Sequence, residues 1–130
     1  MIVPDASALI EVLLHMPAAE SVERRLFRPG QTLHAPHLVD VEVAQVVSRY
    51  AATDEIDELR GRSALLGLAD LPLHRYPHDV LLPRIWDLRH NFTAYDAAYV
   101  ALAEALDASL LTRDRRLAAS ARGLARVDLV

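Results

Sequence analysis

The chain has 130 residues, of which 52% are apolar and 25% charged, so it holds one hydrophobic core and is expected to form a single domain over 1–130. Cysteine is absent, which excludes disulfides, thiolate metal sites and thiol nucleophiles and leaves carboxylate and imidazole as metal ligands. The formal charge of −4 gives no overall attraction to phosphate, and no run approaches the roughly 18 apolar residues that span a bilayer.

Met1 to Pro4 reads as a short buried strand, followed by a helix from Ser7 to His15 that Pro17 ends. The stretch MIVPDAS has no charged region ahead of an apolar core, so no secretory signal is expected and the cytoplasm is the expected location. A second helix spans Ala18 to Arg28 and stops at Pro29-Gly30. Thr32 to Ala35 is a strand, and Leu38 to Ala52 is helical by periodicity. Thr53-Asp54-Glu55 supplies an N-cap and a negative first turn for a helix reaching Ala69. Leu71 to Tyr76 is a strand, and Val80 to Arg89 and Ala94 to Leu106 are helices. Ser109 to Thr112 is a buried strand, Arg115 to Arg122 a helix and Arg126 to Val130 a last strand. Short apolar strands alternating with helices predict an α/β/α sandwich around a mostly parallel sheet.

Four carboxylates stand in apolar or small surroundings: Asp5 in MIVPDASAL, Glu42 in LVDVEVAQVV, Asp96 in TAYDAAYVALA and Asp114 in SLLTRDRRLA. Several half-buried like charges cost several kcal/mol unless a cation or a proton compensates them. Each acid also has a plainer reading. Asp5 and Asp114 follow strands and could cap the next helix, with Ser7 competing for the first cap; if Ser7 caps, Asp5 is free to face the crevice. Asp96 could close a capping box with Thr93. Glu42 lies mid-helix, at the border of an arc of Val39, Val43, Val46, Val47 and Tyr50; its plain reading is a pairing with Arg49, and Asp40 is the reserve candidate. Taken together, four acids at strand ends and helix positions suit Mg²⁺, which takes about six oxygens at ~2.0–2.1 Å, several of them from water and phosphate. All basic residues are arginine, bunched at Arg24, Arg25 and Arg28 and again at Arg113, Arg115 and Arg116. Either cluster could be a solvated helix face, but arginine also grips phosphate through a bidentate fork.

DASAL after the first strand, the helical VEVAQVV, YDAAYVALAEAL and LLTRDRRLA together resemble PIN-domain ribonucleases, in particular the VapC-type toxins of toxin–antitoxin modules. The resemblance covers essentially the whole chain. It implies a Rossmann-like α/β/α sandwich, a Mg²⁺ or Mn²⁺ site formed by Asp5, Glu42, Asp96 and Asp114, and hydroxyl support from Thr112 and Ser7. It also implies a homodimer, inhibition by a small antitoxin whose tail occupies the active-site groove, and DNA contact only through that antitoxin. Pro4 departs from the usual aliphatic residue, and irregularity is expected at that strand end.

The expected reaction is metal-dependent hydrolysis of RNA, with Arg113, Arg115 and Arg116 positioning the strand and products carrying 5′-phosphate and 3′-hydroxyl ends. The alternative is an inactive PIN-like scaffold that binds RNA or protein. A phosphoacceptor receiver domain is disfavoured because the chain lacks lysine, and the six histidines show no ligand spacing. Val12, Leu13, Leu14 and the segment Ile56 to Leu68 offer apolar surface to a partner. Tyr76, Trp86, Phe92 and Tyr95 suit either the core or base stacking.

Overall fold

The computed structural model describes residues 1–130 and orders them as β1 (Ile2–Pro4), α1 (Ala6–Leu13), α2 (Ala19–Leu26), β2 (Leu33–Pro36), α3 (Leu38–Ala52), α4 (Glu58–Asp70) and β3 (Leu73–Tyr76). After a 3-10 turn at Asp79–Leu81 come α5 (Leu82–Asp87), α6 (Ala94–Leu106), β4 (Ser109–Thr112), α7 (Arg115–Ala121) and β5 (Arg126–Leu129). The five strands form one sheet in the order β3-β2-β1-β4-β5, every pair parallel. The steps β1 to β2 to β3 run one way across the sheet and β3 to β4 to β5 the other. Right-handed crossovers therefore place α1–α4 on one face and α5–α7 on the opposite face, which gives the expected α/β/α sandwich. The direction changes between β1 and β4, and the crevice at that switch point is where open α/β sheets take ligands.

Central β1 and β4 are almost wholly buried, as strands covered on both faces must be; β1 is apolar throughout, and in β4 two leucines stand between Ser109 and Thr112. The seven residues Ala97 to Ala103 are all buried, because α6 lies over β1, β2 and β4 and also packs against α5. Four alanines in that run let the helix come close to the sheet. On α3, Val39, Val43 and Val47 recur every fourth residue and face the core, leaving Glu42 half-buried beside them.

Pro4 has the effect expected of it, on one side only. Ile2 N–H donates to Thr32 O at 3.0 Å, so the donor-less nitrogen two residues on faces the same neighbour. β1 pairs with β2 only at Ile2↔Leu33, whereas with β4 it pairs at Ile2, Val3 and Pro4.

Several boundaries differ from expectation. Thr53-Asp54-Glu55 does not start α4: Thr53 ends α3, Asp54 takes the left-handed conformation (φ 58°), and Asp57 caps α4 by accepting Arg60 N–H at 2.7 Å. Asp57 has the same capping chemistry a few residues later, so local propensity does not separate the two. β3 starts at Leu73, after Pro72. The expected Val80 helix divides into the 3-10 turn and α5, with Pro83 in the first turn of the latter. Leu14 belongs to the core rather than to an outer face, and Leu13 packs against Gly67, whereas Leu59 and Leu66 on α4 are exposed. No helix is long and apolar enough to cross a membrane.

Candidate active site

Asp5 is buried at the carboxyl end of β1, and both its oxygens are engaged. Oδ1 accepts Ala8 N–H (3.0 Å) and the Ser7 hydroxyl (2.6 Å), while Oδ2 accepts the Thr112 hydroxyl (2.5 Å). Asp5 is thus the N-cap of α1, which decides between the two candidates for that cap, Asp5 and Ser7. Ser7 instead sits inside the first turn and accepts Arg113 N–H at 2.9 Å, and Thr112 accepts Asp114 N–H at 2.9 Å. The two hydroxyls therefore lock the ends of β1 and β4 together around one carboxylate.

Glu42 reaches the crevice from α3, where its Oε1 accepts the hydroxyl of Tyr99, a residue of α6, at 2.6 Å. It forms no ion pair with Arg49. The reserve candidate Asp40 points elsewhere and pairs bidentately with Arg75 of β3 at 2.7 and 2.9 Å. Asp96 is half-buried in the first turn of α6; Thr93 caps that helix by accepting Asp96 N–H at 3.2 Å, and no backbone N–H donates to the Asp96 carboxylate. Asp114 caps α7 through Oδ1, which accepts Arg116 and Leu117 N–H at 2.8 and 3.1 Å.

The four acids share one electrostatic environment. Burial raises the Asp5 carboxyl above its ordinary value, with Asp96 adding to the rise and the Ser7, Thr112 and Ala8 donors opposing it. Glu42 is raised by burial and by the charges of Asp5 and Asp96, against the Tyr99 hydrogen bond. Asp96 is raised by burial and by Asp114, against Arg116 and Thr93. As the side chains stand, no three Asp, Glu or His groups converge tightly enough to hold an ion by themselves. An all-oxygen donor set under mutual repulsion fits a hard divalent cation.

A family profile described as PIN domain matches residues 2–123. Ribonuclease VapC1 of Mycobacterium tuberculosis is 47% identical over 119 residues, which cover 91% of this chain and 89% of that protein. The chain belongs to the VapC-type PIN domains. Among solved structures, PAE2754 from Pyrobaculum aerophilum has a TM-score of 0.70 at 25% identity, covering 98% of this chain and 83% of its own. VapBC2 from Rickettsia felis, bound to a DNA fragment from its promoter, shares the fold with a TM-score of 0.70 at 14% identity, over 99% and 98% of the two chains.

In this VapC-type chain the arginines beside Asp114 divide by role. Arg113 is already committed: its Nε lies 3.3 Å from Glu11 and its Nη1 donates to Val130 O at 2.8 Å. Buried Glu11 also accepts Ala18 N–H at 3.0 Å, so this pair ties the start of α2 to the end of β4. Arg115 and Arg116 are exposed, with side chains in no hydrogen bond or ion pair, and Arg116 acts on the charge of Asp96. In the other cluster, Arg24 pairs with Glu20 and Arg25 with Asp128, so it is largely neutralised.

Tyr99 is the site residue that the sequence reading missed. Within YDAAYVALA it looks like one more core aromatic, and it is indeed 1% exposed. Burial and the neighbouring Glu42 carboxylate push its hydroxyl far above the ordinary tyrosine value, so it stays a neutral donor. Tyr99→Phe keeps the ring and removes that donor. We expect a loss of roughly 10- to 100-fold in activity, the range typical of groups that orient a site's carboxylates, with an unchanged circular dichroism spectrum. Wild-type rates in Tyr99→Phe would show that Glu42 needs no positioning.

Proposed function

We propose that the chain is a metal-dependent ribonuclease, the toxin of a toxin–antitoxin module, hydrolysing RNA phosphodiester bonds. One observation carries the reading: Asp5, buried and fully hydrogen-bonded at the β1/β4 switch point, shares its electrostatic environment with Glu42 and Asp96, while Asp114 adjoins Asp96. Asp5, Asp96 and Asp114, with Glu42 beside them, would hold Mg²⁺ or Mn²⁺. When bound, the ion supplies Lewis acidity toward water and neutralises charge at the phosphate. Ser7 and Thr112 fix the Asp5 carboxylate. Tyr99 holds Glu42 by Oε1, which leaves Oε2 to take the proton of an attacking water. Water attacks phosphorus, the bond to the 3′ oxygen breaks, and that oxygen leaves as a 3′-hydroxyl while the phosphate stays on the 5′ end. Arg115 and Arg116 meet the phosphate backbone.

We propose an antitoxin as the partner, in keeping with the VapC and VapBC names of the relatives, with DNA contacted only through it, and the exposed Leu59 and Leu66 of α4 suit a homodimer. The test is to incubate purified, antitoxin-free protein with cellular RNA in Mg²⁺, Mn²⁺ or EDTA and to map the ends. Metal-dependent cuts with 5′-phosphates are expected. Products ending in 2′,3′-cyclic phosphates would overturn the mechanism, and RNA bound but left intact would favour the scaffold.

A further inference from the structure

Beside the carboxylates lies a cavity of about 800 Å³, bounded by α1 and α3 and by Tyr95 at the start of α6. Three aromatic side chains of this protein are exposed: Phe27 at 51%, Trp86 at 65% and Tyr95 at 65%. They are not equivalent. Trp86 is covered by its own neighbour, the Arg89 guanidinium 4.1 Å from the ring. Phe27, at the end of α2, lines no cavity with any of the four acids. Of the three, only Tyr95 lines the cavity shared with Ser7 and Glu42, where the other aromatic is the partly buried Tyr50, and Tyr95 immediately precedes Asp96. Its hydroxyl makes no hydrogen bond, and its ring is outside the core cluster, so neither packing nor capping accounts for a large aromatic there.

Leu38, Val41 and Gln45 share one face of α3 and also line this cavity. Val41 is 72% exposed, and Gln45 is exposed with no partner for its amide. An apolar wall, an aromatic face and a free amide match a nucleobase, which offers two π faces and a hydrogen-bonding edge. Arg49, also on α3, lines the same cavity and can meet the phosphate attached to that base. We propose that Tyr95 is a base-stacking residue that holds one nucleobase of single-stranded RNA beside the carboxylates and thereby sets which nucleotide is cleaved. The proposal rests on the ribonuclease reading and adds a determinant of its specificity.

The test uses short single-stranded oligoribonucleotides carrying 2-aminopurine at each position in turn. Binding is followed in Ca²⁺ by emission and anisotropy, and cleavage in Mn²⁺ is measured in parallel. Wild type should quench 2-aminopurine at one position, and Tyr95→Ala should abolish that quenching and weaken affinity roughly 5- to 150-fold, the value of one stacked base. Tyr95→Phe, which keeps the ring, should behave as wild type in both respects. In cleavage, Tyr95→Ala should raise KM while kcat at saturation stays close to wild type. Unchanged affinity in Tyr95→Ala, or an equal loss in Tyr95→Phe, would overturn the stacking role, as would RNA binding that never quenches. Loss of antitoxin binding alone in Tyr95→Ala would assign the cavity to a peptide and overturn it too. Cleavage that ignores Tyr95 defeats only the stacking proposal, whereas stacking without cleavage defeats only the ribonuclease reading.

Discussion

Replacing Asp5 by Asn is expected to lower RNA cleavage by more than about 10²-fold while leaving the fold intact, because a charged oxygen at the centre of the site is removed and its shape is kept. The remaining amide oxygen can still accept Ala8 N–H, and Asn is as good an N-cap as Asp. Thr112 can turn its hydroxyl to meet the new amide group. Without divalent cations the variant should melt no lower than wild type, since a buried charge under repulsion from Asp96 has gone. A gain of about 1 kcal/mol corresponds to roughly 3–4 °C for a domain of this size. The combination is diagnostic: a structural aspartate would lose stability and activity together, and parallel losses would count against a ligand role. Thermal melts and single-turnover cleavage on one preparation separate the two.

Cation-free protein should melt higher in mild acid than at neutral pH, and saturating Mg²⁺ or Mn²⁺ should reverse that order. Asp5, Glu42 and Asp96 all have native carboxyls raised above their ordinary values. The native state therefore holds protons that the unfolded chain has released, and stability falls as pH rises from the ordinary carboxylate range through the raised native values. His34 acts in the opposite sense. Its ring is buried between the Thr32 and Tyr76 hydroxyls, and burial, with the neighbouring His74 and the amino terminus, holds its pKa below the usual value, so acid costs stability there. The difference between wild type and Asp5→Asn cancels His34 and isolates the carboxylate. At neutral pH, an ion at about 100 times its Kd adds about 2.7 kcal/mol, roughly 8–10 °C in Tm. In acid the protonated ligands lose that gain. A neutral-pH Tm that rises equally with NaCl at matched ionic strength would mean screening rather than a site.

Much of this architecture is legible before any coordinates, for identifiable reasons. Strands such as SLLT and IVP are buried on both faces and carry no polar interruption, so they stand out from the helices around them. The acids are legible because a carboxylate in an apolar run needs an explanation. Legibility fails where one residue does two jobs. Asp5 looks like either a cap or a ligand, and in the fold it is a cap whose second oxygen also holds Thr112 at the end of β4, a combination that the Ser7-or-Asp5 alternative did not allow. It fails again where chemistry is repeated nearby, as with Asp54 and Asp57. Tyr99 stayed hidden because its partner lies 57 residues away on the other side of the sandwich, and neither segment alone implies the meeting. Arg113 shows the same limit: its sequence neighbours suggest substrate, and its ion pair with Glu11, distant in sequence, is implied by neither segment alone.

The strand order also bears on how the site comes into being during folding. Asp5 belongs to β1, but the hydroxyl on its second oxygen belongs to Thr112 of β4, and Asp114 follows. β4 must insert beside β1 before these groups meet, and β5 then closes the sheet on its far edge. Until β4 is in place the acids stand apart and form no site, so the insertion of one central strand both completes the middle of the sheet and creates the site.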